Sequence, residues 1–411
     1  MVKGRHLVLL GCLVARSVSS YAQTAGEPVG APLTTIPVPT GTPPKDVIDL
    51  ARRIFPRLPI TKHDTVALLQ GRKFVWVAPA IGYALQTRLL AELVTNVAFK
   101  KPGANMSTVI SELIYTQNKQ GILTIASSLW ARDNRINWVG DWRIMHFPED
   151  TYGLGTYTAR DSPIGMMFNY LRLYQSALRK VSGNVYAGLG YQLDVHWGVR
   201  SGNGPEDLPV ISGYTAGING RSVSSGGTLN LLFDNRSNAI NPPRGAYVSV
   251  ILRPNWRLLG SDTNYQSLVL DVRKYLPLSN VSGNVLAFWS YSWLTLHGTP
   301  PYLDLPSTGW DTYGNLGRGF IQGRFRGRSL LYEEAEYRCG LTRNRLLGGV
   351  VFANVQSAWE EAAHRPGPFV PAVGAGVRLN VNKIARTNLA VDYGFGADGS
   401  RGLFFNLGEV F

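Results

Sequence analysis

Asn184 to Trp197 reads NVYAGLGYQLDVHW, and the alternation within it decides the fold. Val185, Ala187, Leu189, Tyr191, Leu193, Val195 and Trp197 fall on one side of an extended chain, and Asn184, Tyr186, Gly188, Gly190, Gln192, Asp194 and His196 on the other. A period of two is that of a strand. A soluble sheet buries its apolar face and sets Lys and Glu on the wet one. Here the polar side is Gly, Asn, Gln and Asp, while Trp and Tyr stand near the ends of the apolar side, as in strands with lipid on one face and a hydrated lumen on the other. NVLAFWSYSW repeats the pattern, with Val285, Ala287, Trp289, Tyr291 and Trp293 predicted toward lipid and Asn284, Ser290 and Ser292 toward water. So does RTNLAVDYGFG, with Leu389, Val391 and Tyr393 against Asn388 and Asp392.

Working outward, sixteen such segments can be counted, near 72–82, 84–99, 105–116, 119–132, 134–146, 164–180, 183–198, 225–235, 244–257, 264–276, 283–297, 328–341, 344–359, 372–381, 386–396 and 402–411. An even number of strands, roughly 21 residues per strand and connection, suits a transmembrane antiparallel β-barrel. The longest connections, 198–225 and 297–328, follow the seventh and eleventh strands, which puts them on the outer side if the N-terminus is periplasmic. No apolar run after the N-terminal region reaches the 18 residues of a membrane helix, so closure into a barrel is the remaining way across a bilayer.

The N-terminal region reads differently. Lys3, Arg5 and His6 precede the apolar run Leu7 to Ala15, and Ser20-Tyr21-Ala22 fits a small-x-small cleavage site, which predicts a signal peptide over 1–22 and export. Residues 23–70 form a Pro-rich linker. Within it, KDVIDLARRIFPRL reads equally as a short amphipathic helix or as solvated chain. The barrel is expected over 71–411. With Cys12 in the removed part, Cys339 stands alone and no intramolecular disulfide is expected.

The formal charge of the 411 residues is +14, yet only 17% are charged and 11% are aromatic. Basic residues are scattered singly, not clustered as nucleic-acid binding requires. His63, His146, His196, His297 and His364 lie apart, without Cys or carboxylate at ligand spacing, so no metal or other cofactor is expected. Gly394-Phe395-Gly396-Ala397-Asp398-Gly399 matches a dinucleotide fingerprint, but no helix follows it, and a hairpin turn explains it better. Asp194, His196, Asp234, Arg236, Asp271, Arg273 and Asp392 fall on lumenal faces. Without a nucleophile and its base they argue for a hydrated wall and against an enzyme.

Four stretches carry a resemblance. LLFDNRSNAINPPRGAYVSV (231–250), LVLDVRKYLPL (268–278), Gly317-Arg318-Gly319-Phe320 and LAVDYGFG with GLFFNLGEVF resemble the BamA/TamA-type outer-membrane assembly-factor superfamily, also called the bacterial surface antigen family. The resemblance implies outer-membrane localisation and a part in protein assembly or translocation through a lateral seam. It also implies contact with outer-membrane lipid and lipopolysaccharide, with client outer-membrane or exported proteins, and with a periplasmic partner. In the family, the Arg-Gly-Phe loop folds into the lumen. Carried over, Arg318 is expected to meet Glu334 or Glu336, which share a strand face, and Leu403, Phe405, Leu407 and Phe411 are expected to form the apolar face of the closing strand and its assembly signal. Two departures stand out. Asn354 and Gln356 replace a commonly acidic Asp and a Gly, which predicts a weaker clamp. Residues 23–70 are too few for a POTRA domain, so a barrel-only member is expected. Arg324, Arg326 and Arg328 are expected to be solvated loop charges. Two other functions fit a barrel: a passive anion-preferring pore or transporter, and a structural surface antigen.

Overall fold

A computed structural model of the chain describes residues 43–54, 73–202, 213–218, 220–278, 283–312, 314–360, 366–383 and 386–411. The expected signal peptide and most of the expected linker lie outside the described residues. Segments rich in Val, Ile, Leu, Thr and aromatic residues form the strands: β1 (Phe74–Ala84), β2 (Arg88–Lys100), β3 (Met106–Thr116), β4 (Gly121–Trp130), β5 (Ile136–His146), β6 (Glu149–Thr151), β7 (Ile164–Ser182), β8 (Val185–Ser201), β9 (Gly220–Asp234), β10 (Gly245–Asn255), β11 (Tyr265–Pro277), β12 (Val285–Gly298), β13 (Ser329–Gly340), β14 (Leu347–Trp359), β15 (Val370–Asn382), β16 (Thr387–Gly396) and β17 (Arg401–Leu407). They form one 17-stranded antiparallel sheet. β5 and β6 both pair with β7, at Asn169 to Arg179 and at Ile164 to Met166, so they make one stave broken at Phe147-Pro148. The barrel therefore has sixteen staves.

Each stave pairs with the next around the barrel, from β1 with β2 to β16 with β17. Among the described residues no ladder joins β1 to β17, although the two lie side by side. A Cβ placed on Gly402 would stand 2.3 Å from a methyl carbon of Leu85, so the edges touch at their outer end. Pro79 sits within β1, where its missing N–H is tolerated on a free edge.

The alternation of β8 follows the sequence: Leu189, Tyr191 and Trp197 face outward, while Tyr186, Asp194 and His196 are buried inside. β12 is reversed. Val285, Ala287, Trp289 and Tyr291 point into the lumen, and Phe288 and Ser290 point out. The cause is what fills that part of the lumen. Trp289 packs edge-on against Tyr332, stacks on Phe411 and donates its indole N–H to Asp271 at 2.9 Å. Alternation alone predicts an apolar face toward lipid, and here a second apolar surface lies inside.

α1 (Val47–Ile54) forms where the helix-or-linker choice was open. Asp46 and Asp49 cap it reciprocally: the Asp49 amide donates to Asp46 Oδ1 at 2.9 Å, and the Asp46 amide to Asp49 Oδ2 at 3.2 Å. The Lys45 amide donates to the Asn344 carbonyl, and Lys383 donates from its amide to Asp46 and from Nζ to Asp49. The helix is thereby fixed to the turns after β13 and β15, at the end of the barrel opposite the long loops.

Candidate functional site: the lumenal loop and the seam

The lumen wall is charged in a regular way. Asp141 and Arg143, Asp234 and Arg236, Asp271 and Arg273, and Glu336 and Arg338 stand two residues apart, the first three pairs bidentate at 2.7 to 2.9 Å and the last at 2.5 Å. Two residues of a strand share a face, so an acid and an arginine in this spacing meet without help from another strand.

Into this wall the connection from β12 to β13 folds back. Its two arms run together: the Thr308 amide donates to the Phe325 carbonyl at 2.9 Å, and the Gly323 amide to Thr308 at 2.9 Å. The base is held by Tyr302, whose hydroxyl meets Thr151 at 2.5 Å, and by Asp304, which accepts from Ser224 at 2.5 Å. Near the tip Asp311 accepts the amides of Asn315 and Leu316, and the Thr312 carbonyl accepts from Arg143 at 2.6 Å.

At the tip lies Arg318, 1% exposed. It donates to Glu334 and Glu336 on β13 and, at 2.7 Å, to Asp392 on β16. Its guanidinium lies 3.8 Å from the Phe352 ring centre. Gly317 and Gly319 have φ of +85° and +105°, a backbone that L side chains rarely adopt. Gly319 rests on β16: a Cβ on Gly394 would come within 2.7 Å of the Gly319 nitrogen, and one on Gly396 within 2.5 Å of the Phe320 ring. Phe320 packs edge-on against Phe325 at 5.2 Å. The GFGADG stretch thus does two things. It turns at 397–400, and its first two glycines leave room for the loop.

Asn354 and Gln356 do not leave Arg318 short of acidic partners. Asn354 donates to the Arg318 carbonyl at 2.9 Å and Gln356 accepts from Thr308 at 2.8 Å, while Asp392 supplies a third carboxylate from two strands further on. Around it the network continues: Arg378 pairs with Asp392 at 2.5 Å and with Glu409 at 2.7 Å. Arg324 and Arg326 are not solvated. Arg324 donates to Asp398 at 2.7 Å and to Thr158, Arg326 pairs with Glu149 at 3.1 Å, and both are buried. Arg328 alone of the three is not buried: it is half-buried and donates to the Gly298 carbonyl.

Of the closing-strand residues, Leu403 is exposed and Phe405 and Leu407 are half-buried. Phe411 departs from them. β17 ends at Leu407, Gly408 turns the chain with φ +107°, and Phe411 lies 3% exposed inside the barrel against Trp289 and Tyr275. Its main-chain oxygen accepts from Arg338 at 2.8 Å, and the Val410 carbonyl accepts from Asn315 of the loop at 2.7 Å. The even spacing of Leu403 to Phe411 predicts one strand face, but the turn at Gly408 ends it and takes Phe411 inside. A cleft lined by Leu85, Leu316, Arg318, Phe320, Phe405 and Asn406 joins the loop tip to the seam.

A family model described as the Omp85 superfamily domain matches residues 179–411. No curated protein matches the sequence significantly. Among solved structures, BamA from Haemophilus ducreyi lacking POTRA domains 1–3 is similar, with a TM-score of 0.53 and 12% identity over 82% of this chain and 70% of that one. CdiB from Acinetobacter baumannii is similar at a TM-score of 0.52 and 12% identity, over 82% of this chain and 59% of that one. At such identity the likeness speaks for the fold, and the family model, which spans more than half of the sequence, speaks for descent. The chain belongs to the Omp85 superfamily, and its barrel is of the BamA/TamA type.

Proposed function

We propose that this barrel assembles or translocates client proteins in the outer membrane by opening laterally between β1 and β17, with the Arg318 loop held in the lumen as a plug. The observation that carries the reading is the pairing of a filled lumen with a free seam. Arg318 is buried among three carboxylates on two strands, while the edges of β1 and β17 have no ladder among the described residues. A strand edge with unpaired N–H and C=O groups is a template for another strand. In this reading, residues 1–22 direct export and are cleaved after about Ala22, 23–70 link them to the barrel at 71–411, and a periplasmic partner delivers the client. Leu403, Phe405 and Leu407 present the closing strand to lipid and lipopolysaccharide.

The test is a seam that can be locked. With Leu85 Cγ 2.6 Å from a Cβ built on Gly402, cysteines at the two positions would have their Cβ atoms within about 4 Å, the range of a disulfide. The Leu85→Cys/Gly402→Cys chain, with Cys12 and Cys339 changed to Ser, is reconstituted in liposomes, and insertion of an unfolded eight-stranded barrel is followed. Oxidation should stop insertion and reductant restore it. Equal insertion by the locked form would sink lateral opening. Steady anion-selective currents unaffected by the lock would favour a passive pore instead.

A further inference from the structure

The turn between β10 and β11 does not stand up from the barrel mouth. The Trp256 amide donates to the Ser225 carbonyl at 3.1 Å, and the Asp262 amide to that of Val223 at 2.9 Å, so the chain stays on the edge of β9 at both ends of a short 3-10 excursion, Arg257–Leu259. The excursion lies on the outer wall. On β9, Leu229 and Leu231 are exposed and Ser224 and Thr228 face the lumen, so Ser225 points outward; yet Ser225 is fully buried. What covers it is the turn: Ser225 Oγ donates to the Leu259 carbonyl at 2.7 Å and lies 2.8 Å from the hydroxyl of the outward-facing Tyr191. A Cβ on Gly227, next along the same face, would touch the Trp256 ring at 4.0 Å.

The backbone of the excursion is tied down. The Arg257 amide donates to Asn264 Oδ1 at 2.7 Å, its Nε to the Asp262 carbonyl at 3.0 Å, and the Asp262 carboxylate accepts the Val223 amide at 2.7 Å. On this rigid base Trp256, Leu258 and Leu259 are 46%, 94% and 42% exposed. They continue the row of Leu231 and Leu229. Ser225 lies nine residues from the inner end of β9 at Asp234, about 30 Å along the strand and roughly 20 Å along the barrel axis at a tilt near 45°, close to the outer limit of an apolar band of about 25 Å.

We propose that the Trp256–Gly260 turn is a membrane anchor, with Trp256, Leu258 and Leu259 seated among the acyl chains of the outer leaflet. Continuity with the lipid-facing row of β9 names the occupant. A loop that served only as a connection would keep such side chains out of water. β9 and β10 are the eighth and ninth of the sixteen staves, so the anchor stands on the wall opposite the β1–β17 seam. It holds the back of the barrel at fixed depth while the front is free to move.

Spin labels at three positions test this in the full chain, with Cys12 and Cys339 changed to Ser, reconstituted in phospholipid bilayers. They are placed at Leu258→Cys, at Leu229→Cys on the lipid-facing row, and at Tyr157→Cys, a loop residue 87% exposed. Relaxation by oxygen, which collects in hydrocarbon, is compared with relaxation by a water-soluble nickel chelate. The expected result is oxygen-dominated relaxation at 229 and 258 and nickel-dominated relaxation at 157. Nickel-dominated relaxation at 258 with oxygen still dominant at 229 would overturn the anchor alone and make the turn a surface for a soluble partner. The same at both positions would overturn the anchor and the membrane-facing wall together. All three positions carry exposed side chains, so folding is not at stake, and Leu258→Ser should leave the melting of the barrel unchanged while reducing its depth-dependent quenching by brominated lipid.

Discussion

Arg318→Ala should free the lumenal loop, and the network around it sets the size of the effect. Three guanidinium groups, of Arg318, Arg338 and Arg378, meet four carboxylates, of Glu334, Glu336, Asp392 and Glu409. Without Arg318, Glu336 keeps Arg338 and Asp392 keeps Arg378, but Glu334 retains only the Tyr332 hydroxyl. Removing one partner of a buried ion pair costs about 3–5 kcal/mol, chiefly because the other charge is left unpaired. At about 1.4 kcal/mol per tenfold, the ratio of docked to undocked loop should fall by roughly a thousandfold. Planar-bilayer recordings should show a quiet wild-type barrel and an open variant, and limited proteolysis should cut within 307–326 only in the variant. Arg318→Lys should be intermediate, since an ammonium cannot bridge two strands as the planar fork does. Adding Glu334→Gln to Arg318→Ala removes the orphaned charge, so thermal stability should return in part while the pore stays open. A quiet Arg318→Ala barrel with unchanged proteolysis would refute the clamp.

Other outcomes follow from the same packing. Gly394→Val should displace the loop as Arg318→Ala does, because its side chain would enter the space of the Gly319 backbone; protease sensitivity of the loop reads this directly. Arg326→Ala should lower the melting temperature by more than Arg328→Ala, the first leaving buried Glu149 without its counter-charge and the second removing a half-buried side chain that meets a carbonyl, as calorimetry in detergent would show. α1 should respond to acid. The hydrogen bond from Lys383 holds the Asp49 carboxyl below the usual carboxylate range, so its contribution to docking is complete above about pH 4 and is lost as pH falls through the depressed value. The pair is partly exposed and the effect small. On acidification the amides of 47–54 should lose protection, measured against their intrinsic exchange rates, while those of the strands keep theirs.

The barrel was legible because its signal is local. A period of two survives in any strand with unlike faces, and the expected segments lie close to the observed strands except at the last, where the 402–411 reading overran Leu407. What escaped the sequence was long-range. The inward turn of β12 depends on Phe411, Tyr332 and the loop arriving in the lumen, none of which alternation within 284–293 can register. Arg324 and Arg326 looked solvated because their partners, Asp398 and Glu149, are 74 and 177 residues away. The meeting of Arg318 with Glu334 and Glu336 came from a family resemblance. Asp392 was on the correct face in the sequence, but only closure of the sheet brings β16 beside the loop. The β10–β11 turn gave a signal that went unused: Trp-Arg-Leu-Leu at the end of a strand is too apolar for a connection in water.

The acid and arginine two residues apart on β5, β11 and β13, and at the end of β9, have a consequence for how such a chain enters a bilayer. Moving a lone charge into hydrocarbon costs several kcal/mol, and a strand that waited for its neighbour to supply a counterion would bear that cost during insertion. In these four segments the counterion is on the same strand. On β5, on β11 and at the end of β9 the pair leaves the lumenal side electrically neutral as soon as the segment is extended, before any hairpin has closed, whereas β13 keeps one further carboxylate, Glu334, whose counterion Arg318 arrives with the loop.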